Sequence, residues 1–267
     1  MGVKFLIVMN KRIMRLNRIV EYLEENKSAD VRDLSGQLQV SEMTIRRDLK
    51  ILEDQNVILS KHGGVYINPG AGSGKFDMDY TLPAAGTVRI AEKKRIAAAA
   101  ASMLEPEDVI TIDSGSTMEI LSRIIPLEFP LTVLCYSLNV LNEMTKKKNS
   151  QILFAGGLFH ERSQMFESPE GLSIIKRTRA VKAFVSASGA NAELGVTTKI
   201  HHERAVKEAI MESSQTKILL LDSSKFGKVQ TNYFASLEDF DIIITDTGIS
   251  EVYESIIRDH GIELHIV

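Results

Sequence analysis

The sequence predicts an α/β protein of two domains, a small N-terminal domain of helices with one β-hairpin and a larger domain with a mostly parallel sheet. Apolar residues recur at helical spacing up to about residue 54, and apolar runs alternate with helical patterns after residue 89. A segment rich in glycine and proline lies between these regions. We therefore predict domains at residues 1–68 and 89–267, joined by a linker at residues 69–88.

The composition is that of an ordinary globular protein. The chain has 267 residues, of which 44% are hydrophobic and 25% charged, and its net charge of -3 is not that of a generic polyanion binder. The single cysteine, Cys135, excludes internal disulfides and Cys-rich zinc sites, so we expect a cytoplasmic protein. Because Cys135 lies in an apolar run without a nearby histidine, we expect a core residue and not a nucleophile.

The first residues do not predict targeting to a membrane. The apolar run from Val3 to Met9 is too short to span a bilayer and has no small-residue cleavage site, so we expect neither a signal peptide nor a membrane partner. We hypothesise that Met9 is the translation start.

Three helices are predicted before residue 55. Apolar spacing between Lys11 and Lys27 indicates the first, Asp30 is placed to cap the second, and Ser41 is placed to cap the third. A tight turn between the second and third makes a helix-turn-helix, whose third helix places its N-terminal residues at base edges in the major groove.

The third helix combines an apolar stripe with a cationic face. Ile45 and Leu49 stand four residues apart and predict the buried side. A solvated amphipathic helix would show the same local pattern, and the flanking helices favour the DNA-binding interpretation. The predicted DNA contacts in this segment are Ser41, Met43, Thr44, Arg46, Arg47 and Lys50.

A β-hairpin is predicted after the third helix. The apolar runs 57–59 and 65–67 flank Gly63 and Gly64, which can supply the positive φ of a tight turn. Such a hairpin forms the wing of a winged helix-turn-helix. Lys61 and His62 near its tip are predicted phosphate contacts, although an ordinary surface turn has the same composition.

The larger domain begins with a predicted helix at residues 89–103 and continues with alternating strands and helices. Several apolar runs lack polar alternation, which is typical of strands buried on both faces of a parallel sheet. Ligands bind at the carboxyl ends of such strands. Strands are predicted at residues 109–112, 131–136, 152–155, 183–187, 218–221, 242–245 and 264–267, and helices at 116–125, 138–147, 167–178, 203–214 and 250–259.

The turn after the first of these strands predicts an anion site. A hydroxyl-rich turn at a helix N-terminus presents backbone amides and the positive end of the helix dipole to a phosphate. An ordinary helix cap is the alternative. The residues of this turn are Asp113, Ser114, Gly115, Ser116 and Thr117.

Other strand ends contribute small or charged residues to the same predicted crevice. We propose three lysines as cations for a phosphate and three carboxylates as acceptors from sugar hydroxyls. The additional residues are Gly156, Gly157, Lys93, Lys207, Lys225, Asp222 and Glu203. The run His201-His202-Glu203 lacks further ligands at metal-like spacing, so we expect polar residues at a helix start, and neither a metal nor a cofactor.

Taken together, these motifs resemble the DeoR family of bacterial transcriptional regulators. The similarity covers the chain from Lys11 onward, with its most specific part at residues 40–49 followed by Lys61-His62-Gly63-Gly64. It continues in the second domain at Glu92-Lys93, in the 113–117 turn, at Gly156-Gly157 and at residues 222–227. The resemblance implies a winged helix-turn-helix joined to a sensor domain related in fold to ribose-phosphate isomerases. It also implies a homo-oligomer, either a dimer or a tetramer, and a phosphorylated sugar effector.

The sequence departs from the family pattern at three places. Gln39 stands where glycine is usual, so the turn between the second and third helices is expected to be strained or re-angled. Residues 135–137 replace a common Thr-Asn-Ser, and residues 167–171 form an altered loop.

The sequence therefore predicts a regulator, a repressor in our interpretation, that binds a double-stranded DNA operator and releases it when a sugar phosphate enters the crevice. The alternative is a sugar-phosphate isomerase that carries a DNA-binding domain, because fold does not fix function.

Overall fold

The computed structural model describes residues 15–16, 18–19, 22–23, 26–54, 58–61, 64–67 and 82–267, without the side chains of residues 54, 67, 83 and 84. The chain divides into two compact units, Met1–Ile90 and Ala91–Val267. The alternative start at Met9 and residues 69–81 of the predicted linker lie outside the described residues.

The N-terminal unit contains the predicted helices and the hairpin. Strand β3 lies between β1 and β2 and pairs antiparallel with both, and Lys61 is opposite Gly64 at the end of the hairpin. The elements are α1 (the described residues between 15 and 26), β1 (Ser28–Ala29), α2 (Val31–Leu38), α3 (Glu42–Asp54), β2 (Ile58–Lys61), β3 (Gly64–Ile67) and α4 (Leu82–Gly86). The winged helix-turn-helix architecture is confirmed.

The apolar stripe of α3 faces the core of this unit, as predicted. Ile45 is fully buried and Leu49 is nearly so, and they pack with Leu16, Ile19 and Leu34 from the two preceding helices. Helix α2 begins with a capping box in which Asp30 accepts from the amide of Asp33 and Asp33 accepts from that of Asp30.

Gln39 ends α2 in the left-handed conformation, with φ 52° and ψ 45°. Its amide donates to the carbonyl of Ser35, which closes the helix. A residue with a side chain loses about 1 to 2 kcal/mol in this conformation, a penalty that glycine avoids. The strain expected from the missing glycine is therefore confirmed.

The C-terminal unit is built on a seven-stranded sheet of order β15-β14-β12-β9-β4-β5-β6, in which all neighbours are parallel. Its strands are β4 (Val109–Ile112), β5 (Leu131–Cys135), β6 (Ser150–Phe154), β9 (Ala180–Ser186), β12 (Ser214–Leu220), β14 (Ile242–Thr245) and β15 (Glu263–Ile266). The helices are α5 (Ile90–Ala101), α6 (Ser116–Ile124), α7 (Leu138–Met144), α8 (Pro169–Arg177), α9 (Glu203–Ser213) and α10 (Glu251–Asp259). The predicted α/β fold with a mostly parallel sheet is confirmed.

Consecutive strand residues pack into two different hydrophobic clusters, one on each face of the sheet. Phe184 lies in one cluster and Val185 in the other, as do Val133 and Leu134. Both faces are covered, which explains the apolar runs without alternation. Cys135 is fully buried, and burial raises the pKa of its thiol to about 12, so it is a core residue as predicted.

Two small antiparallel sheets were not predicted from the sequence. One pairs β7 (Leu158–His160) with β8 (Met165–Glu167), and the other has the order β10-β11-β13, with β10 at Gly189–Asn191, β11 at Gly195–Thr198 and β13 at Asn232–Ala235. Short 3-10 turns lie at Ser223–Lys225 and Leu237–Asp239. Within the described residues, no helix is long and apolar enough to cross a bilayer.

Candidate functional site

The exposed face of α3 carries the predicted DNA contacts. Ser41 caps the helix, because its Oγ accepts from the amide of Thr44 at 3.3 Å. Met43 is 65% exposed in the first turn. Arg46, Arg47 and Lys50 are exposed as well, so one face of the helix is cationic and open to a ligand.

Arg46 has a partner on its own helix. Its Nη2 lies 3.5 Å from Oε2 of Glu42, and the Nε of Arg32 on α2 lies 3.8 Å from the other oxygen of the same carboxylate. Such exposed pairs contribute little to stability. The guanidinium of Arg46 can therefore leave Glu42 for a base or a phosphate at small cost.

A buried salt bridge between Arg15 and Asp48 fixes α3 from behind. The Nε and Nη2 atoms of Arg15 lie 2.5 and 3.1 Å from the two oxygens of Asp48, whose side chain is 1% exposed. This fork geometry holds α3 against α1 in one orientation. The two residues are 33 positions apart, and sequence spacing gave no sign of the pair.

The structure describes one of the two predicted DNA contacts in the wing. Lys61 is exposed at the end of β2. His62 lies outside the described residues, so its contact with DNA stays a prediction.

The second predicted site is organised around Asp113, directly after β4. The carboxylate is fully buried, and its Oδ2 lies 2.5 Å from Nζ of Lys207 on α9 and 2.7 Å from the amide of Ser186 at the end of β9. The hydroxyl of Ser186 donates to the same oxygen at 2.9 Å. The hydroxyl of Tyr136, directly after β5, donates to Oδ1. Three strand ends and one helix thus converge on one carboxylate.

Lys207, like Asp113, is buried and has several polar contacts. It is 1% exposed, donates to the carbonyl of Ser186 at 2.9 Å, and lies 5.4 Å from the ring centre of Phe234. Burial, followed by the negative charge of Asp113, raises the pKa of Tyr136 far above its ordinary value, so the phenol stays protonated and donates.

Glu203 lies one helical turn before Lys207 and is 6% exposed. The hydroxyl of Thr198 donates to Oε2 of Glu203. Burial raises the pKa of the Glu203 carboxyl, while the positive charge of Lys207 opposes the shift. A buried carboxyl with a raised pKa beside a second carboxylate is typical of functional sites.

The 113–117 turn is held by its neighbours, and the N-cap residue of α6 is Gly115, which forms no side-chain cap. The N-cap position itself therefore has no hydroxyl, and the anion site at this turn stays a prediction. Gly115 has φ 122°, and a Cβ there would lie 3.2 Å from Oγ of Ser186. Asn139 donates to the carbonyl of Gly115 at 3.1 Å, and Oγ of Ser186 lies 2.8 Å from the carbonyl oxygen of Ser114.

Two buried polar atoms at the start of α7, the helix whose Asn139 contacts this turn, make no hydrogen bond within the described part of the chain. They are Oγ of Ser137, at the start of α7, and Oδ1 of Asn139. Buried polar atoms are nearly always paired, so an unpaired pair of atoms next to a helix N-terminus indicates a place for a polar ligand. Neither residue was predicted, although both follow a strand end.

The remaining predicted residues occupy several strand ends. Gly157 has φ 150° and adjoins the backbone of Glu167, while the carbonyl of Gly156 accepts from Ser168 at 2.8 Å. Asp222 accepts from the amide of Ser224 at 3.1 Å and so caps the turn that contains Lys225. Lys93 is buried on α5, and Ser114, Ser116 and Thr117 are buried in the turn. Direct contacts among the predicted residues join Asp113 with Lys207 and Ser114 with Glu203.

A helix-turn-helix unit followed by an α/β unit with a buried polar cluster around Asp113 is the architecture of a two-domain transcriptional regulator. Residues 15–69 match the model of the DeoR-like helix-turn-helix domain, and residues 88–247 match that of the DeoR C-terminal sensor domain. The chain belongs to the DeoR family of transcriptional regulators.

Curated relatives align along nearly the whole chain. The deoxyribose operon repressor of Escherichia coli K12 is 30% identical over 254 residues, which cover 95% of this chain and 98% of the repressor. The regulator GolR of Listeria innocua is 29% identical over 253 residues, covering 94% and 97%. Ribose 5-phosphate isomerase A of Methanocaldococcus jannaschii gives a TM-score of 0.38 at 14% identity, covering 50% of this chain and 53% of the isomerase, a likeness too low to carry an argument.

Proposed function

We propose that this chain is a sequence-specific repressor of an operon for sugar metabolism, which releases its operator when a phosphorylated sugar binds beside the 113–117 turn. Membership of the DeoR family and the name of the Escherichia coli relative support the regulatory role. The observation that carries the DNA-binding part is the burial of Ile45 and Leu49 under a face that exposes Arg46, Arg47 and Lys50. Arginine can make bidentate contacts with guanine, which discriminate by roughly 1 to 3 kcal/mol.

The N-terminus of α6 supports a phosphate as the charged part of the effector. Backbone amides of a first helical turn and the helix dipole favour an anion there. Asn139 contacts this turn, and its unpaired Oδ1 and the unpaired Oγ of Ser137 at the start of the same helix suit the hydroxyls of a sugar. Asp113 already accepts from Lys207, Ser186 and Tyr136, so it serves to position these groups, and its direct contact with a sugar stays a prediction.

Repression would be relieved by linkage. An effector that prefers the conformation with weak DNA affinity lowers operator binding by its coupling free energy, typically about 1 to 3 kcal/mol. We propose a dimer or tetramer, because a dimer of helix-turn-helix units can read two half-sites on one face of the duplex.

A thermal-shift screen with a panel of pentose and hexose phosphates tests the effector. A ligand at about 100 times its Kd adds near 2.7 kcal/mol to the free energy of unfolding, which raises the melting temperature. The Gly115→Ala variant should lose this shift, because its backbone has φ 122° and the new Cβ crowds Ser186.

Gly261→Ala is the matched control, since Gly261 also has a positive φ, 72°, with no heavy atom within 4 Å of the added Cβ. The Gly261→Ala variant should keep the rise in melting temperature that the ligand causes. A panel in which no phosphorylated sugar moves the melting temperature contradicts the proposal.

A second candidate function is sugar-phosphate isomerisation. The buried Glu203, whose pKa is raised, lies on the same helix as Lys207 and is the kind of carboxyl that serves as a general base. The regulatory names of the relatives favour a protein without catalysis. Incubation with the same panel, followed by NMR, separates the two: sustained conversion that Glu203→Gln abolishes would support the enzyme.

A further inference from the structure

Two histidines and a glutamate from three separate elements converge outside the Asp113 crevice. His160 is on β7, Glu167 is on β8, and His202 is the residue before the first turn of α9. Nitrogen and carboxylate oxygen atoms from these side chains all lie within 4.8 Å of one another. The function proposed above uses none of these side chains.

The β7-β8 hairpin places two of these groups side by side. His160 is opposite Met165, so Glu167 is its diagonal neighbour two residues further along β8, on the same face. The ring Nε2 lies 2.9 Å from Oε2 of Glu167. Ligands of a tetrahedral zinc ion are separated by roughly 3.3 Å, as follows from bonds of about 2 Å, so this pair is already near the required spacing.

His202, the N-cap residue of α9, is the third member of this cluster. Its ring stacks on that of His160 with 3.6 Å between centroids and 14° between planes. Ser163, at the tip of the hairpin, has its Oγ 3.1 Å from Nε2 of His202. The Ser163 hydroxyl therefore gives the ring of His202 a partner that orients it.

The orientation of the two imidazole rings places one requirement on a bound ion. Parallel rings do not aim their lone pairs at one point, so an ion requires one imidazole to turn. The terminal torsion of histidine is broad and permits that rotation.

We propose that His160, Glu167 and His202 form a binding site for a divalent transition-metal ion, with Zn²⁺ the best chemical match. Two imidazoles and one carboxylate are a common zinc ligand set, and water fills the fourth position. The ion would join the hairpin to the start of α9, the helix that carries Glu203 and Lys207. This inference is independent of the sugar-phosphate proposal.

The test is a titration of the full-length, tag-free protein with Co²⁺, followed by visible absorption, and then displacement by Zn²⁺. We expect one ion per chain with the spectrum of a tetrahedral site. Affinity should fall by more than about tenfold in His160→Gln and in His202→Gln, since each removes a ligand. Glu167→Gln supplies a third variant on a 43% exposed side chain, which is expected to leave folding intact.

His265→Gln is the matched control. His265 also lies beside a carboxylate, with Nε2 2.6 Å from Oε1 of Glu263, but it belongs to a pair and not to the three-group cluster. It should bind Co²⁺ like the wild type. Absence of binding at millimolar Co²⁺, unchanged affinity in the three site variants, or an equal loss in His265→Gln would each overturn the proposal.

Discussion

Nζ of Lys207 lies 2.5 Å from Oδ2 of Asp113, and neither side chain is more than 1% exposed. Both groups of such a pair have lost their hydration, so each can stay charged only because the other compensates for that loss. Its formation across 94 residues ties α9 to the end of β4.

Replacement of Lys207 by methionine should destabilise the C-terminal unit. The variant leaves the Asp113 carboxylate buried without its counter-ion, which costs about 3 to 5 kcal/mol. Urea denaturation measures the change. Lys217→Met is the control: its Nζ lies 4.0 Å from Asp241 and its side chain is 27% exposed, so a loss below about 1 kcal/mol is expected. Equal losses of unfolding free energy in Lys207→Met and Lys217→Met would contradict the expected effect of burial on the contribution of the ion pair.

Glu203 should make stability depend on pH. Because burial raises its pKa in the folded protein above the unfolded value, the folded state binds more protons between these two values. The free energy of unfolding therefore falls as pH rises from the unfolded pKa through the folded pKa. Glu203→Gln should remove this slope and be more stable relative to wild type at neutral pH than at low pH.

Urea midpoints at a series of pH values check this, with Glu208→Gln as the control on the same helix. Glu208 is 38% exposed and paired with Arg204 at 2.7 Å. A pH profile of Glu203→Gln that parallels the wild type contradicts the raised pKa.

Gln39→Gly should stabilise the N-terminal unit by about 1 kcal/mol. The gain comes from the left-handed backbone at φ 52°, where glycine has no steric penalty. Gln37→Gly, two residues earlier on the exposed face of α2, should instead lower stability by about 1 kcal/mol, because glycine weakens a helix interior. The opposite signs of two identical substitutions, measured by thermal unfolding, make the test specific to backbone conformation.

Arg47→Ala should weaken binding to the operator by roughly 5- to 150-fold, corresponding to the loss of about 1 to 3 kcal/mol of base or phosphate contact. Fluorescence anisotropy with a duplex that the wild type selects from a random pool measures the affinity. Arg177→Ala, on an exposed position of α8 in the other unit, is the control and should bind as the wild type does. Unchanged affinity in Arg47→Ala removes that residue from the predicted contacts.

The elements of the large sheet were predictable because burial leaves a direct trace in the sequence. Strands such as Val109–Ile112 and Ile242–Thr245 are apolar except for one threonine each, and neighbours such as Ile243 and Ile244 enter cores on opposite faces. The short antiparallel strands, such as Gly189–Asn191, have neither length nor period, and only tertiary pairing defines them.

The meeting of polar residues at strand ends around Asp113 was predictable from the sequence, but their hydrogen bonds were not. Asp113 was found because it follows a strand and starts a hydroxyl-rich turn, whereas Tyr136 and Ser186 were missed. Both also end strands, and the rule that carboxyl ends of parallel strands share an edge could have found them. The contact of His160 with His202 joins residues without any sequence periodicity, so coordinates were needed to reveal it.

The salt bridge between Arg15 and Asp48 has a consequence for protein engineering. It anchors α3 from its buried side and uses none of the exposed positions, such as Met43 and Arg47. The orientation of the helix and the identity of its outward side chains are therefore separate design variables. Operator preference can be retargeted by exchanging outward residues while Arg15, Asp48 and the apolar stripe stay constant.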